Sequence, residues 1–151
     1  MTRPARSTIA TLAVAALFGC IDDPTQVIEE TEFAASLGVD LTQMEKLETG
    51  VYIQDLEVGP GIVLVLGSEA TLTYTGWLAD GVQFDNGTLT DVISESSAIP
   101  GFIDGILGMR VGGTRLIVIP PERAYGDEGF GAIPPGAILV FQVTLDEIVT
   151  G

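Results

Sequence analysis

Apolar and polar positions alternate along several stretches of the chain, and this pattern predicts β-strands. In ATLTYTGWL, which spans residues 70–78, Leu72, Tyr74 and Leu78 fall on one side of a strand and threonines fall on the other. The turn sequence ADG follows, and VQFD then returns as the second strand of a hairpin. Three further stretches predict the remaining strands: GVYIQDLEVG, GGTRLIVIPP and AILVFQVTLDEIV.

One segment has the spacing of a helix instead. In AIPGFIDGILGM the residues Phe102, Ile103 and Ile106 recur at helical intervals, Pro100 suits a first turn, and Gly108 suits a stop. About four to six strands with one short helix leave connections too short for parallel crossovers. We therefore expect an α+β domain in which a mostly antiparallel, curved sheet packs against one helix.

The N-terminal residues differ in composition from the rest of the chain. MTRPARS carries two arginines, and a 12-residue apolar run, TIATLAVAALFG, follows it and is too short to span a membrane. These are the basic and apolar regions of a secretory signal, so residues 1–19 are predicted to be a signal peptide. A buried N-terminal helix is the alternative, and it fits poorly with the acidic sequence CIDD that comes next.

The stretch LFGC, which ends at Cys20, resembles a bacterial lipobox. Cys20 is the only cysteine of the chain, so no intramolecular disulfide can form. The resemblance implies that Cys20 is lipidated and that the exported protein is anchored to the bacterial cell envelope, on its periplasmic or outer surface. Stable anchoring requires several acyl chains. The alternative is a secreted protein with one free thiol.

Residues 20–48 are acidic and weakly patterned, and they predict a tether with a helical turn between Asp40 and Leu47. The folded domain is then expected over residues 49–151. Removal of residues 1–19 leaves four basic residues against 21 acidic ones, a net charge of −17. Such a charge argues against binding to nucleic acid or to an anionic lipid surface, so contact with a membrane is expected through the lipid anchor only.

The chain contains no histidine, and this absence limits its chemistry. Ser-His-Asp, Cys-His and histidine-based zinc sites are excluded, and we predict no metal and no cofactor. The glycine- and proline-rich stretch RAYGDEGFGAIPPGAILVF nevertheless keeps four large apolar residues, which form either plain core or the wall of a pocket. These residues are Tyr125, Phe130, Ile133 and Phe141.

Three motifs in this order resemble the FKBP-type peptidyl-prolyl isomerases. They are YTGWLADGVQFD, IPGFIDGILGMRVGGTRLIVIPPERAYG and IPPGAILVFQVTLDEI, and the resemblance covers about residues 50–148. It implies a half-barrel antiparallel sheet that wraps one short α-helix, with an apolar pocket between them that accepts a proline ring. The stretch around Tyr125 would then be the lip of this pocket.

The resemblance also implies the roles of individual residues. The backbone N–H of Ile99 and the hydroxyl of Tyr125 would bond substrate carbonyls, and Asp85 would lie near the twisting amide. Phe102 stands at the pocket floor, where the family usually has tryptophan, and the segment after Asp85 is short and holds no basic partner for it. The substrate-binding residues implied are Tyr74, Phe84, Ala98, Phe102, Phe130, Ile133 and Phe141.

The implied activity is peptidyl-prolyl cis-trans isomerisation in exported proteins. Rotation of an X-Pro amide must break amide resonance, and the planar amide is more polar than the twisted one. An apolar pocket therefore destabilises the planar ground state more than the twisted state, which lowers the barrier without a nucleophile, a metal or a proton transfer.

The expected partners are proline-containing polypeptides and macrolide-type ligands. Two alternatives stay open: a non-catalytic module that binds proline-containing peptides or acts as a chaperone, and a structural lipoprotein whose aromatic residues are all core.

Overall fold

The computed structural model describes residues 25–150. The predicted signal peptide, residues 1–19, and the predicted lipidation site, Cys20, lie outside the described residues.

Within residues 25–150, six strands form one open sheet in which every pairing is antiparallel. The strand order is β1-β2-β5-β6-β3-β4, so β5 and β6 lie in the middle, and β4 forms the edge next to β3. The strands are β1 (Glu45–Lys46), β2 (Tyr52–Glu57), β3 (Glu69–Leu78), β4 (Gln83–Val92), β5 (Thr114–Ile119) and β6 (Leu139–Val149). The predicted antiparallel α+β fold is confirmed.

The α-helix of the described region, α1 (Pro100–Ile106), lies directly on β5. Pro100 occupies its first turn, as expected, because the missing N–H of proline costs nothing there. A Cβ on Gly101 would lie 2.2 Å from Ile119, and one on Gly105 would lie 2.5 Å from Ile117. These two glycines therefore allow the close approach of helix and strand.

Alternate residues of β5 supply two separate apolar cores. Ile117 and Ile119 face α1, whereas Leu116 and Val118 face the opposite side of the sheet. We call the side that carries α1 the helix face and the other side the strap face. The buried residues of the strap face are Ile28, Tyr52, Leu116, Val118, Ile138 and Val140.

Residues 25–44, here called the strap, cover the strap face. They contain three short 3₁₀ turns, at Ile28–Glu30, Ala35–Leu37 and Leu41–Gln43. Ile28 is buried, and partly buried strap residues pack beside it: Phe33, Leu37, Val39, Leu41 and Met44.

The sequence pattern favours a tether over residues 20–48, whereas residues 25–44 pack against the sheet as the strap. The physical reason is that apolar side chains reach the sheet singly between acidic residues, so no helix or strand period appears in the sequence. The predicted turn after Asp40 is a 3₁₀ turn, in which the Asp40 carboxylate accepts a hydrogen bond from the Thr42 N–H at 3.0 Å. The domain boundary at residue 49 stays a prediction.

A small polar cluster fixes the strap to the sheet. The Glu29 carboxylate accepts hydrogen bonds from Lys46 and, at 2.7 Å, from the Tyr52 hydroxyl. These contacts, the one from Lys46 foremost, lower the pKa of Glu29 to about 2. Burial and then the bond to Glu29 raise the pKa of Tyr52.

No helix in residues 25–150 has the length and apolar character needed to cross a membrane.

Candidate functional site

The β3–β4 hairpin brings the first group of site residues together. Its turn contains Gly81 at a φ of +91°, a conformation that favours glycine, and the Leu78 N–H donates to the Val82 carbonyl at 2.8 Å. The predicted hairpin is thus confirmed. Asp85 pairs with Gly76 across the two strands, and this register carries Asp85 to the same side as Tyr74.

Four aromatic rings make up the walls next to α1. Phe141 is their centre, because its ring centroid lies 5.2 Å from that of Phe102, 5.6 Å from that of Phe84 and 6.1 Å from that of Tyr74. Tyr74 also contacts Phe102 at 5.8 Å. All four contacts are edge-to-face, an arrangement that aromatic pairs favour and that fixes ring orientation.

Two of these rings rest on bare backbone. A Cβ built on Gly76 would lie 2.7 Å from the Phe141 ring and 2.7 Å from the Phe84 ring. The absence of a side chain at Gly76 therefore allows both rings to lie directly on β3.

The rings enclose a cavity of about 200 Å³ at the edge of the helix face. Eight of the ten predicted site residues line it, and three residues outside the predicted set, Thr88, Leu89 and Ser97, line it too. The eight are Tyr74, Phe84, Asp85, Ala98, Ile99, Phe102, Tyr125 and Phe141.

Of these three further residues, Leu89 could have been predicted from the register of β4. Leu89 pairs with Leu72 and Asp85 with Gly76, so strand alternation places Leu89 and Asp85 on one side. No comparable signal marks Ser97, which lies in an irregular turn where its hydroxyl accepts from the Ser94 N–H at 3.0 Å.

Two predicted residues, Phe130 and Ile133, belong to the neighbouring loop and not to the cavity lining. Their backbones pair with each other, with N–H to carbonyl distances of 3.0 and 2.8 Å. Phe130 is exposed and stacks on Tyr125, with ring centroids 5.2 Å apart and planes at 15°. Ile133 is buried in the core of the helix face.

These residues belong to a loop, residues 120–138, that we call the lip loop. Hydrogen bonds within it run from the Gly126 N–H to the Pro121 carbonyl at 2.9 Å and from the Gly136 N–H to the Gly126 carbonyl at 2.8 Å. Its four glycines at positions 126, 129, 131 and 136 all have positive φ, between 56° and 68°. The loop is therefore closed on itself, with Tyr125 held against Phe130.

One side-chain hydrogen bond joins two polar groups that line the cavity. The Tyr74 hydroxyl donates to Asp85 at 3.0 Å. Burial, followed by this hydrogen bond to Asp85, raises the pKa of Tyr74 above its ordinary value.

The ion pairs within residues 25–150 do not include Asp85; they join Lys46 to Glu29, Arg115 to Asp55 and Arg123 to Asp104. Asp85 therefore interacts with Tyr74 without a cationic partner in this region.

A backbone donor completes the cavity. Ile99 directly precedes α1 in an extended conformation, with φ of −58° and ψ of 148°, and its carbonyl accepts from the Phe102 N–H at 3.0 Å. The N–H of Ile99 has no acceptor among residues 25–150. It is thus available to a ligand carbonyl.

No group of three or more metal-ligating side chains is present in the part of the chain that the structure describes. The cavity combines apolar walls with hydrogen-bonding groups from Tyr74, Asp85 and the Ile99 backbone.

Comparison with known proteins identifies the family. Residues 63–146 match the FKBP-type peptidyl-prolyl cis-trans isomerase family. The chain belongs to this family. The match spans β3 to β6 and every cavity residue, so the predicted family is confirmed for the segment that builds the site.

Several relatives of this FKBP-type chain are known. It is 42% identical over 102 residues to an FK506-binding protein of Neisseria meningitidis serogroup B, covering 64% of this chain and 94% of that protein. The crystal structure of FkpA from Escherichia coli has 34% identity and a TM-score of 0.64, over 70% of this chain and 51% of FkpA. A peptidyl-prolyl cis-trans isomerase of Pseudomonas syringae pv. tomato has 29% identity and a TM-score of 0.65, over 77% and 87% of the two chains.

Proposed function

We propose that this chain is a peptidyl-prolyl cis-trans isomerase that binds proline in the aromatic cavity. The observation that supports this best is the cavity of about 200 Å³, which is lined by aromatic rings and by one exposed carboxylate, that of Asp85. Such a site suits a reaction that needs an apolar environment and no transferred proton.

The mechanism follows from the polarity of the amide. The planar X-Pro amide carries more negative charge on oxygen than the twisted form, and its rotation barrier is about 18–20 kcal/mol. Phe84, Phe102 and Phe141 replace water around the proline ring, and this costs the planar form more than the twisted form. Each ~1.4 kcal/mol of this difference accelerates rotation about tenfold.

The polar groups hold the substrate backbone while the amide turns. The Ile99 N–H and the Tyr125 hydroxyl bond flanking carbonyls, and Asp85, oriented by Tyr74, lies beside the twisting bond. Ala98 leaves room at the cavity edge. Outside the lining, Phe130 supports the Tyr125 ring and Ile133 holds the lip loop onto the core.

A second candidate is a module that binds proline-containing segments without turnover. It is favoured by two features, the modest size of the Phe102 ring at the cavity floor and the lack of a cationic partner for Asp85 in the described region. The cavity serves both functions, so a rate has to distinguish them.

The test is the isomerisation rate of a Leu-Pro peptide in the presence of the purified protein. Asp85→Ala is expected to lower kcat/KM about tenfold, and Tyr125→Phe to lower it by a smaller factor. Asp91→Ala is the matched control, because Asp91 is an exposed carboxylate on the same strand whose one side-chain hydrogen bond within residues 25–150 comes from the Val92 N–H.

No acceleration with retained peptide binding would favour the binding module. No acceleration and no saturable binding would favour a structural protein. Equal loss of rate in Asp85→Ala and Asp91→Ala would contradict the role of Asp85.

We propose that the same cavity accepts macrolide-type ligands. The N. meningitidis relative is named for FK506, and the cavity here offers an apolar base with donors at its rim. FK506 is expected to inhibit isomerisation competitively. Inhibition that does not depend on peptide concentration would contradict a shared site.

We also propose that the protein is exported and lipid-anchored at the cell envelope, where it acts on exported proteins. The support is the basic and apolar N-terminal sequence and LFGC ending at Cys20. Cys20→Ala is expected to release the protein from the membrane fraction and to abolish fatty-acid labelling. Unchanged membrane association in Cys20→Ala would contradict this anchor.

The charge of the chain predicts a substrate preference. With a net charge of −17 after removal of residues 1–19, the protein is expected to act on Lys-Pro peptides faster than on Glu-Pro peptides at low salt, and the difference is expected to shrink as salt screens it. Equal rates at low ionic strength would contradict this preference.

A further inference from the structure

The lip loop receives hydrogen bonds from a segment far away in the sequence. The Gln26 backbone N–H donates to the Gly136 carbonyl at 3.0 Å, and Oε1 of Gln26 accepts from the Ile138 N–H at 2.9 Å. The Thr25 hydroxyl donates to Oδ1 of Asp127 at 3.2 Å. The start of the strap therefore holds the arm of the lip loop that leads into β6.

These contacts act at Gly136, where the two arms of the lip loop are joined by a hydrogen bond. The Gly136 N–H donates to the Gly126 carbonyl at 2.8 Å, and Gly126 directly follows Tyr125. Gly136 has a φ of +68°, and a Cβ there would lie 3.0 Å from the Cα of Thr25. Gln26 is thus connected through Gly136 to the residue next to Tyr125.

The strap also contacts a second segment that lines the cavity. The Ala34 N–H donates to the Ala79 carbonyl at 2.8 Å, in the turn of the β3–β4 hairpin. That hairpin carries Phe84 and Asp85. Between the two contacts Ile28 is buried on the strap face, so the strap joins the lip loop to the hairpin.

We propose that the strap is part of the substrate-binding unit and that Gln26 is a positioning residue, which holds the lip loop and, through it, Tyr125. Gln26 does not line the cavity. It acts by restricting the loop before substrate arrives, because a mobile loop loses conformational entropy when a ligand orders it, and this weakens binding. Gln26 therefore affects substrate binding more than the rate of bond rotation.

The test uses a matched pair of variants in the full-length protein. Gln26→Met keeps the length of the side chain but removes the acceptor for the Ile138 N–H, whereas Gln26→Glu keeps an acceptor oxygen. Leu41→Ala, near the other end of the strap, controls for a general loss of strap stability, since Leu41 is partly buried against the strap face.

This inference rests on the proposed isomerase function for its kinetic readout. Gln26→Met is expected to raise KM for a Leu-Pro peptide about three- to tenfold with kcat within about twofold. Gln26→Glu is expected to stay near the wild type. Leu41→Ala is expected to lower the thermal midpoint without raising KM.

Amide hydrogen exchange supplies a readout that needs no substrate. Exchange in residues 126–138 is expected to accelerate in Gln26→Met and to be unchanged in Leu41→Ala. Unchanged KM and exchange in Gln26→Met, or an equal rise of KM in Leu41→Ala, would overturn the proposal.

The failure of the proposed function is distinguishable from the failure of this inference. If the wild type accelerates no isomerisation, the dissociation constant of the peptide, measured by calorimetry, replaces KM. If the peptide does not bind either, exchange decides: faster exchange in Gln26→Met supports the positioning of the lip loop, and unchanged exchange contradicts it.

Discussion

Both faces of the sheet bury apolar side chains, but they hold them in different ways. Phe102 on the helix face and Ile28 on the strap face are each 3% exposed. Phe102 belongs to a regular helix, α1, that lies on β5 through two glycines. Ile28 belongs to a strap of isolated 3₁₀ turns, each held by its own few contacts. The comparison teaches that burial alone does not measure how firmly a layer is attached.

Each face also has a tyrosine that donates to a carboxylate. Tyr74 bonds Asp85 at 3.0 Å inside the cavity, and Tyr52 bonds Glu29 at 2.7 Å under the strap. Only the second carboxylate has a cation, Lys46, beside it in the described region. The same pair of groups thus lines a cavity on one face and attaches the strap on the other.

The largest effect is expected on the helix face. Phe102→Ala removes a ring that contacts both Tyr74 and Phe141. The void left by such a truncation costs about 3–5 kcal/mol of unfolding free energy. Urea denaturation measures this loss. Phe130→Ala is the matched control, since Phe130 is 67% exposed. Equal losses in the two variants would mean that Phe102 is not an integral part of the core.

A smaller effect is expected on the strap face. Ile28→Ala is expected to cost about 1–2 kcal/mol, at the low end for a buried isoleucine, because the strap can detach locally while the sheet stays folded. Amide exchange should accelerate at Ile138, whose N–H bonds the Gln26 side chain of the strap, but not in α1. A loss as large as that of Phe102→Ala, with faster exchange on both faces, would show that the two layers unfold together.

The third prediction concerns Tyr74. Its pKa is raised above the ordinary 10.0, mainly by burial and then by the bond to Asp85. Since folding favours the neutral phenol, this stabilisation is complete below pH 10 and is lost as the pH rises through the folded-state pKa. Asp85→Ala should lower the pKa of Tyr74 without returning it to 10, because the larger cause is burial.

Ultraviolet titration measures this pKa, with Tyr74→Phe subtracted to remove the signals of the other tyrosines. An unchanged Tyr74 pKa in Asp85→Ala would contradict the hydrogen bond as a cause.

The smallest effect is expected at Glu29. Its pKa falls from 4.5 to about 2 on folding, so the stabilisation is present above pH 4.5 and is lost as the pH falls towards 2. The side chain is 46% exposed, and solvent reduces the effect. Glu29→Gln should therefore lower the urea midpoint slightly at pH 6 and not at pH 2. An equal difference at both pH values would contradict the ionic origin of this contact.

The elements of the helix face could be predicted from the sequence because their periods are strong. The alternation from Leu72 to Leu78, the ADG turn and the spacing of Phe102 and Ile106 each point to one structure. The strap could not be predicted in this way. Its 3₁₀ turns have no long repeat, so Ile28 and the partly buried residues after it look like isolated apolar positions in an acidic stretch.

The candidate site likewise contains residues whose place could be predicted from the sequence and residues whose place could not. Residues in regular elements or directly before α1, such as Phe84, Ile99 and Phe141, line the cavity that the motifs implied. Phe130 and Ile133 do not, because the pairing of their backbones turns one side chain onto Tyr125 and the other into the core. That pairing depends on glycines with positive φ, which a sequence pattern does not place in space.

Gly76 influences the shape of the cavity although it does not line it. Since Phe84 and Phe141 both rest on its bare backbone, a single added methyl would displace both rings at once without changing the identity of any lining residue. The shape of the cavity is therefore set partly by a residue behind its lining, on β3. A chain with the same lining residues but a larger residue at position 76 would keep the composition of the cavity and lose its shape.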